Sequence, residues 1–186
     1  RLAAMEGIEA PLAAAHAASG SSARRVLAAH GASREEVLAA FIVWLARLSS
    51  KHHITLGAVD HALDLRGSEV VLARVVPLAL TLPEGARFGA VVALAANELR
   101  RLRELGTYPQ DLVARTPELR LPKYAVGVEL EPKAGVVELA GRALCLLLGE
   151  GPAELAYDPA AYTEASIADV AAQLEALLMA GRAAAD

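Results

Sequence analysis

Apolar positions along the chain change period several times, and each change marks an element. Val37, Leu38, Phe41, Trp44, Leu45 and Leu48 recur at helical spacing. Ser33 and Glu36 stand just before them at capping-box spacing, which satisfies two otherwise unpaired backbone donors. Ser49, Ser50 and Lys51 close that helix. Phe88, Val91, Val92, Leu94, Leu99 and Leu102 predict a second helix over about 87–105, with Gly106 as its stop. Ile167, Val170, Leu174, Leu177 and Leu178 predict a terminal helix, with Ser166 and Asp169 read as its cap. Pro109 predicts the opening of a short helix through Arg115.

Between the helices the pattern is β-like. Ile54 to Val59 reads as a short strand, followed by a polar loop over 60–69. Val70 to Leu82 is β-rich and contains Pro77, which predicts an edge, a bulge or a bend. Tyr124 to Glu131 alternates as a strand, and Val136 to Leu148 supplies one strand or two. Gly149 to Pro152 is a tight turn, so Leu155 to Tyr157 returns as a hairpin partner. Residues 2–18 are Ala-rich and weakly helical in pattern, and Gly20, Ser21 and Ser22 make a polar break. Strands interleaved with helices predict an α/β (α+β) domain: one mixed sheet covered by helices, in a single unit over 1–186.

Composition narrows the function classes. The chain has 186 residues, net charge −4, and 55% hydrophobic residues, which excludes a disordered tail and allows a core without staples. One cysteine, Cys145, excludes a disulfide framework and a cysteine-based zinc site. Mild acidity argues against nucleic acid as a partner. No apolar run reaches the roughly 18 residues that a membrane span needs. Alanine occurs 42 times and aromatic residues 7 times. So many small apolar residues in a soluble chain imply apolar surface that something else covers, self-association included. The chain opens at Arg1 without a signal-peptide pattern, so a cytoplasmic piece of a longer polypeptide is expected.

Few residues have the makings of chemistry. His52 and His53 are adjacent, as in the acyltransferase signature His-His-x-x-x-Asp-Gly, but Gly57 and Ala58 stand where that signature has Asp and Gly. Without the orienting Asp, two polar residues at a helix-to-strand junction are the better reading. His52, His53, Asp60 and His61 lack a compact metal-ligand spacing, so no metal site is expected. Cys145 sits in an apolar run, where a thiol is inert. Arg100, Arg101 and Arg103 point in several directions around their helix. A solvated face is the commoner role for such a run, and attraction of a phosphate is the functional one.

The order of features resembles the C-terminal lobe of a condensation domain from a nonribosomal peptide synthetase. Residues 1–22 look like the segment that leaves the N-terminal lobe. Gly31 to Leu48 is similar to the family's first helix of this lobe, and His53-Ile-Thr-Leu-Gly57 to its following strand. Val70 to Leu82 resembles Ile-Gly-x-Phe-Val-Asn-Thr-Leu-Pro-Leu-Arg, anchored on Pro77. Tyr108 to Leu112 resembles the end of His-Gln-Asp-Tyr-Pro-Phe-Glu. Arg120 to Tyr124 is similar to Ser-Arg-x-Pro-Leu-Phe. Arg74 stands where the family has Asn, Ala79 where it has Arg, and Leu105 and Gly106 where it has His-Gln, as in a divergent member.

This resemblance implies one lobe of a fold like chloramphenicol acetyltransferase, with a substrate tunnel between two lobes. It implies amide or ester formation between acyl groups tethered to carrier proteins by phosphopantetheine arms, with no cofactor bound directly. The His-His-x-x-x-Asp-Gly motif belongs to the N-terminal lobe, so this chain alone is expected to be inert. Its candidate tunnel residues are Arg74, Tyr108 and Asp111, and its candidate carrier contacts are Arg100, Arg101 and Arg103. The alternative is a degenerate, non-catalytic module that recruits carrier proteins or tailoring enzymes. An epimerisation domain or another acyl-transfer relative would share the lobe.

Overall fold

In a computed structural model the described residues are 7–11, 13, 21–63, 71–109, 111–116, 123–132, 139 and 141–184. The elements in chain order are β1 (Ala23–Val26), α1 (Arg34–Ser49), β2 (His53–Asp60), β3 (Val76–Thr81), α2 (Phe88–Leu105), α3 (Leu112–Arg115), β4 (Val126–Leu130), β5 (Leu144–Leu148), β6 (Glu154–Tyr157) and α4 (Glu164–Ala183). The strands form one six-stranded sheet in the order β1-β6-β5-β4-β2-β3. β2, β4 and β5 run parallel, and the remaining pairs are antiparallel. The predicted mixed sheet with helices is therefore present.

Strand alternation divides the sheet into two faces. Ile54, Leu56, Ala58, Val126, Val128, Leu130, Leu144 and Leu146 belong to the main core together with α1, α2 and α4. On α1, Phe41 and Trp44 stack with ring centroids 5.9 Å apart. Trp44 Nε1 donates to Gln173 on α4 at 2.9 Å, so the largest core side chain keeps its polar atom satisfied. The second face carries a smaller cluster of Leu139, Cys145, Leu147 and Ala156.

Both outer strands have features that discourage further sheet pairing. β1 exposes Arg24 and Arg25, and Arg24 pairs with Glu154 on β6 at 3.4 Å. β3 is the opposite edge and contains Pro77, so the edge reading of that proline holds.

Local chemistry sets the helix ends. Ser33 and Glu36 form the predicted capping box on α1. Gly106 ends α2 at φ +63°, and its N–H bonds Leu102. Two boundary readings are corrected. The cap of α4 is Thr163, whose side chain accepts from the Ser166 N–H, so Ser166 lies inside the first turn and Asp169 further in. The short helix begins at Leu112, because Pro109 is held in a β-bridge to Leu72.

β1 is an addition to the predicted elements. Residues 7–11 are not helical. Ile8 is buried in the core with its N–H on the Thr55 carbonyl, and the Tyr162 hydroxyl donates to the Pro11 carbonyl at 2.6 Å. The rest of the Ala-rich N-terminal reading, most of the 60–69 loop, and the first part of the Val136–Leu148 reading fall outside the described residues. So does the Arg120–Pro122 motif.

Candidate functional site

The second sheet face is crossed by two side chains because two glycines make room for them. Gly57 on β2 pairs directly with Gly127 on β4. A Cβ on Gly57 would lie 2.9 Å from the Tyr124 side chain and from Val75, and one on Gly127 would lie 2.6 Å from Arg142 Cδ. Arg142 reaches over Gly127 to Glu129. Its Nη2 donates to Glu129 Oε1 at 2.8 Å, and its Nε donates to the Leu139 carbonyl at 2.7 Å. His61 Nε2 bonds the other Glu129 oxygen at 3.1 Å. The side chains of Arg142 and Glu129 are 3% and 5% exposed, so the pair is desolvated.

A second polar network lies at the C-terminal ends of β2 and β4. Asp60, with a fully buried side chain, accepts from Arg103 Nε at 3.1 Å and from the Ala62 N–H at 2.9 Å. Glu131 accepts from Arg34 at 2.6 Å and lies 3.6 Å from Arg103. Sequence reasoning placed Arg103 with Arg100 and Arg101, whereas this network ties it to the sheet. Arg100 bonds Asn97 and Arg101 bonds Glu98, both along the exposed side of α2.

The tunnel candidates come together in part. The segment after α2 runs back along the chain just before β3. The Ala73 N–H donates to the Tyr108 carbonyl at 2.8 Å, Thr107 Oγ1 donates to the Ala73 carbonyl, and the Tyr108 hydroxyl donates to the Val75 carbonyl at 3.3 Å. Tyr108 and the exposed Arg74 are thereby neighbours. Asp111 lies three residues further on, exposed, and accepts from Arg115 Nε at 2.7 Å. Burial raises the pKa of Tyr108, and burial with the nearby Tyr108 raises that of Tyr124. The buried Tyr124 hydroxyl has no hydrogen-bond partner among the described residues. A cleft of about 230 Å³ adjoins this segment, between β3 and the last turns of α2.

The remaining candidates are structural. His53 spans Thr81 at 2.9 Å and Thr55 at 3.3 Å at the start of β2. Cys145 is buried, and its thiol is pushed up to about 12 by burial, with Arg142 opposing and Glu129 adding to the shift. Among the described residues no cluster of His, Cys, Asp and Glu could hold a metal. No helix there is long and apolar enough to cross a membrane. Sequence reasoning missed the Glu129–Arg142–His61 group. Its one sequence signal is a Glu inside the otherwise apolar strand Val126–Leu130.

The fold matches solved structures over 96–100% of the chain. The X-domain from teicoplanin biosynthesis aligns with TM-score 0.69 at 18% identity, over 100% of this chain and 52% of that one. The same X-domain in complex with OxyB aligns with TM-score 0.68 at 19% identity, over 100% and 51%. The starter condensation domain of rhizomide synthetase RzmA aligns with TM-score 0.63 at 18% identity, over 96% and 48%. The chain folds as one lobe of a condensation domain. It spans about half the length of the structures it matches. No family model and no curated protein sequence matches it. The likeness is one of fold, and it upholds the fold implied by the motif order.

Proposed function

We propose that the chain acts as the C-terminal lobe of a condensation-type unit in nonribosomal peptide assembly. It supplies one wall of the channel in which two carrier-tethered substrates meet, and the acid–base chemistry resides on the other lobe. The observation that carries this reading is the alignment of 96% of the chain with about half of a condensation domain. The local chemistry agrees with it. An acyl-transfer centre needs a base within hydrogen-bond reach of the attacking group, an orienting partner and an oxyanion donor around one open space. His53 is held by two threonines, and Glu129 is held by Arg142 and His61. The work left to this wall is positioning, which lowers the barrier by holding both substrates in line.

In this reading Arg74, Tyr108 and Asp111 face the phosphopantetheine arm, and Arg100 and Arg101 meet the acidic surface of a carrier. Arg103 serves the lobe itself through Asp60 and Glu131. The setting is the cytoplasm, where assembly lines load their carriers. A carrier protein bearing a diazirine on its pantetheine arm tests the assignment. Crosslinks at Tyr108 and its neighbours are expected, and crosslinks confined to the opposite edge, at β1, would overturn it.

The X-domain alignments favour a second reading. One of those structures is a complex of the X-domain with OxyB, so a lobe of this shape can belong to a module that binds a second protein. Selective capture of a purified tailoring enzyme, with no affinity for carriers, would favour recruitment over channel formation.

A further inference from the structure

Asp60 ties together the roots of the two segments that carry Arg74 and Tyr108. Its side chain is fully buried at the end of β2. Oδ1 accepts from the Ala62 N–H at 2.9 Å, which fixes the turn that leaves β2. The Leu63 N–H closes that turn on the Asp60 carbonyl. Oδ2 accepts from Arg103 Nε at 3.1 Å, on the last turn of α2. Arg103 Nη2 lies 3.6 Å from Glu131, so two carboxylates hold the guanidinium fork. Burying a carboxylate costs stability, and an apolar residue at the end of β2 would pack without that cost. What Asp60 adds is geometry: two directional bonds that set both roots relative to each other.

The chain beyond each root enters the same short ribbon. The β2–β3 ladder ends at Ala58 and Val76. The residues just before Val76 pair instead with the stretch that follows α2. Leu72 bridges Pro109, the Ala73 N–H bonds the Tyr108 carbonyl, and the Tyr108 hydroxyl bonds the Val75 carbonyl. Arg74 and Tyr108 both stand on this ribbon. Its hold on the sheet is thin at the α2 end. Leu102 is the last buried side chain of α2, Leu105 is 71% exposed, and Gly106 turns the chain at φ +63°. Among the described residues between Leu102 and Tyr108, Arg103 supplies the side-chain tie to the sheet.

We propose that Asp60, acting through Arg103, is a positioning residue for the channel wall: it sets the placement of the ribbon that carries Arg74 and Tyr108. This rests on the reading that those two residues face the pantetheine arm. Neither Asp60 nor Arg103 touches substrate. Alignment of two tethered reactants depends on close placement of the wall, and a displacement of about 1 Å can cost about a hundredfold in rate. A loosened ribbon therefore slows the chemical step, while carriers that dock on the outer surface bind as before. Arg103 is thereby set apart from Arg100 and Arg101, whose partners Asn97 and Glu98 lie on α2 itself.

Two readouts test it. The full chain is labelled with 3-fluorotyrosine, and the Tyr108 resonance is assigned with Tyr108→Phe. Asp60→Asn keeps an acceptor for the Ala62 N–H and turns an amide N–H toward Arg103, so it cuts one tie and leaves the other. Asp60→Asn and Arg103→Met should each shift or broaden the Tyr108 signal and leave that of Tyr157, in the core on β6, in place. The second readout is condensation of two loaded carriers when a lobe carrying His-His-x-x-x-Asp-Gly is supplied with the chain. Arg103→Met should lower kcat about tenfold with KM for each carrier within about twofold. Arg103→Lys, which can still donate to Asp60, should recover most of that rate. An unmoved Tyr108 signal in both variants would overturn the proposal. So would a loss confined to KM, which would return Arg103 to the carrier-contact role expected from the sequence. If Tyr108→Ala is slow and Arg103→Met is as fast as the parent chain, the proposal fails and the channel reading stands. If Tyr108→Ala is itself as fast as the parent, the channel reading fails and the proposal falls with it.

Discussion

Gly57 and Gly127 sit directly opposite each other on the parallel strands β2 and β4, and together they cut a trough across one face of the sheet. Tyr124 and Arg142 lie in that trough. Both glycines have a packing reason to be where they are, although glycine normally weakens a strand.

Adding a methyl group there should be destabilising. Gly127→Ala brings a Cβ to 2.6 Å from Arg142 Cδ and 2.8 Å from the Gly57 carbonyl, which is backbone and cannot step aside. Overpacking of this kind costs about 1–3 kcal/mol. Gly57→Ala should cost less, because the atoms it meets belong to side chains. Urea unfolding of both variants checks the order.

Glu129 and Arg142 form a desolvated pair whose loss is asymmetric. Arg142→Met leaves a buried carboxylate with His61 as its remaining side-chain partner, at a cost of about 3–5 kcal/mol. Replacing both, as Glu129→Leu with Arg142→Met, should recover most of that loss, since a well-packed apolar pair avoids the desolvation of two charges. Equal destabilisation in the single and double variants would show that the ion pair itself is required.

These two relationships show where sequence reading works and where it stops. The periodic apolar stripes of α1, α2 and α4, the capping box at Ser33, and the hairpin of β5 and β6 were legible, because each is a local pattern. β1 was not, because Ala-Arg-Arg-Val is short, polar and specified only by its partner β6. The α4 cap was read three residues late because Thr163 pairs with a Ser rather than with the Glu of a capping box. Arg103 looked like one of three surface cations, and only the fold brings Asp60 and Glu131 to it. The triad of Glu129, Arg142 and His61 spans a loop and two strand ends, so no local spacing encodes it.

Alkaline pH should destabilise the fold. The Cys145 thiol is raised from 9.0 to about 12. Above pH 9 the unfolded chain releases a proton that the folded chain keeps. The stabilisation is full below that point and is lost as pH rises toward 12. Tyr124 and Tyr162, both raised by burial, act in the same direction at higher pH. Tm should fall across this window, and Cys145→Ala should make the first part of the fall shallower. The native thiol should also resist a disulfide reagent until the chain is unfolded.

Thr163 holds the start of the longest helix. Thr163→Ala removes the acceptor for the Ser166 N–H and should cost about 1 kcal/mol. Ser166→Ala, inside the first turn, should cost less. Thermal melts of the two variants distinguish the observed cap from the one expected from the sequence.

The account's central claim is that this lobe positions substrates while the chemistry belongs to a second lobe. Amide formation between two loaded carrier proteins, followed by mass spectrometry, tests it most directly. The purified chain should give no product above the uncatalysed background. Product should appear when a lobe carrying His-His-x-x-x-Asp-Gly is supplied with it, and Tyr108→Ala should then lower the rate at least tenfold. Turnover by the chain alone would contradict the account.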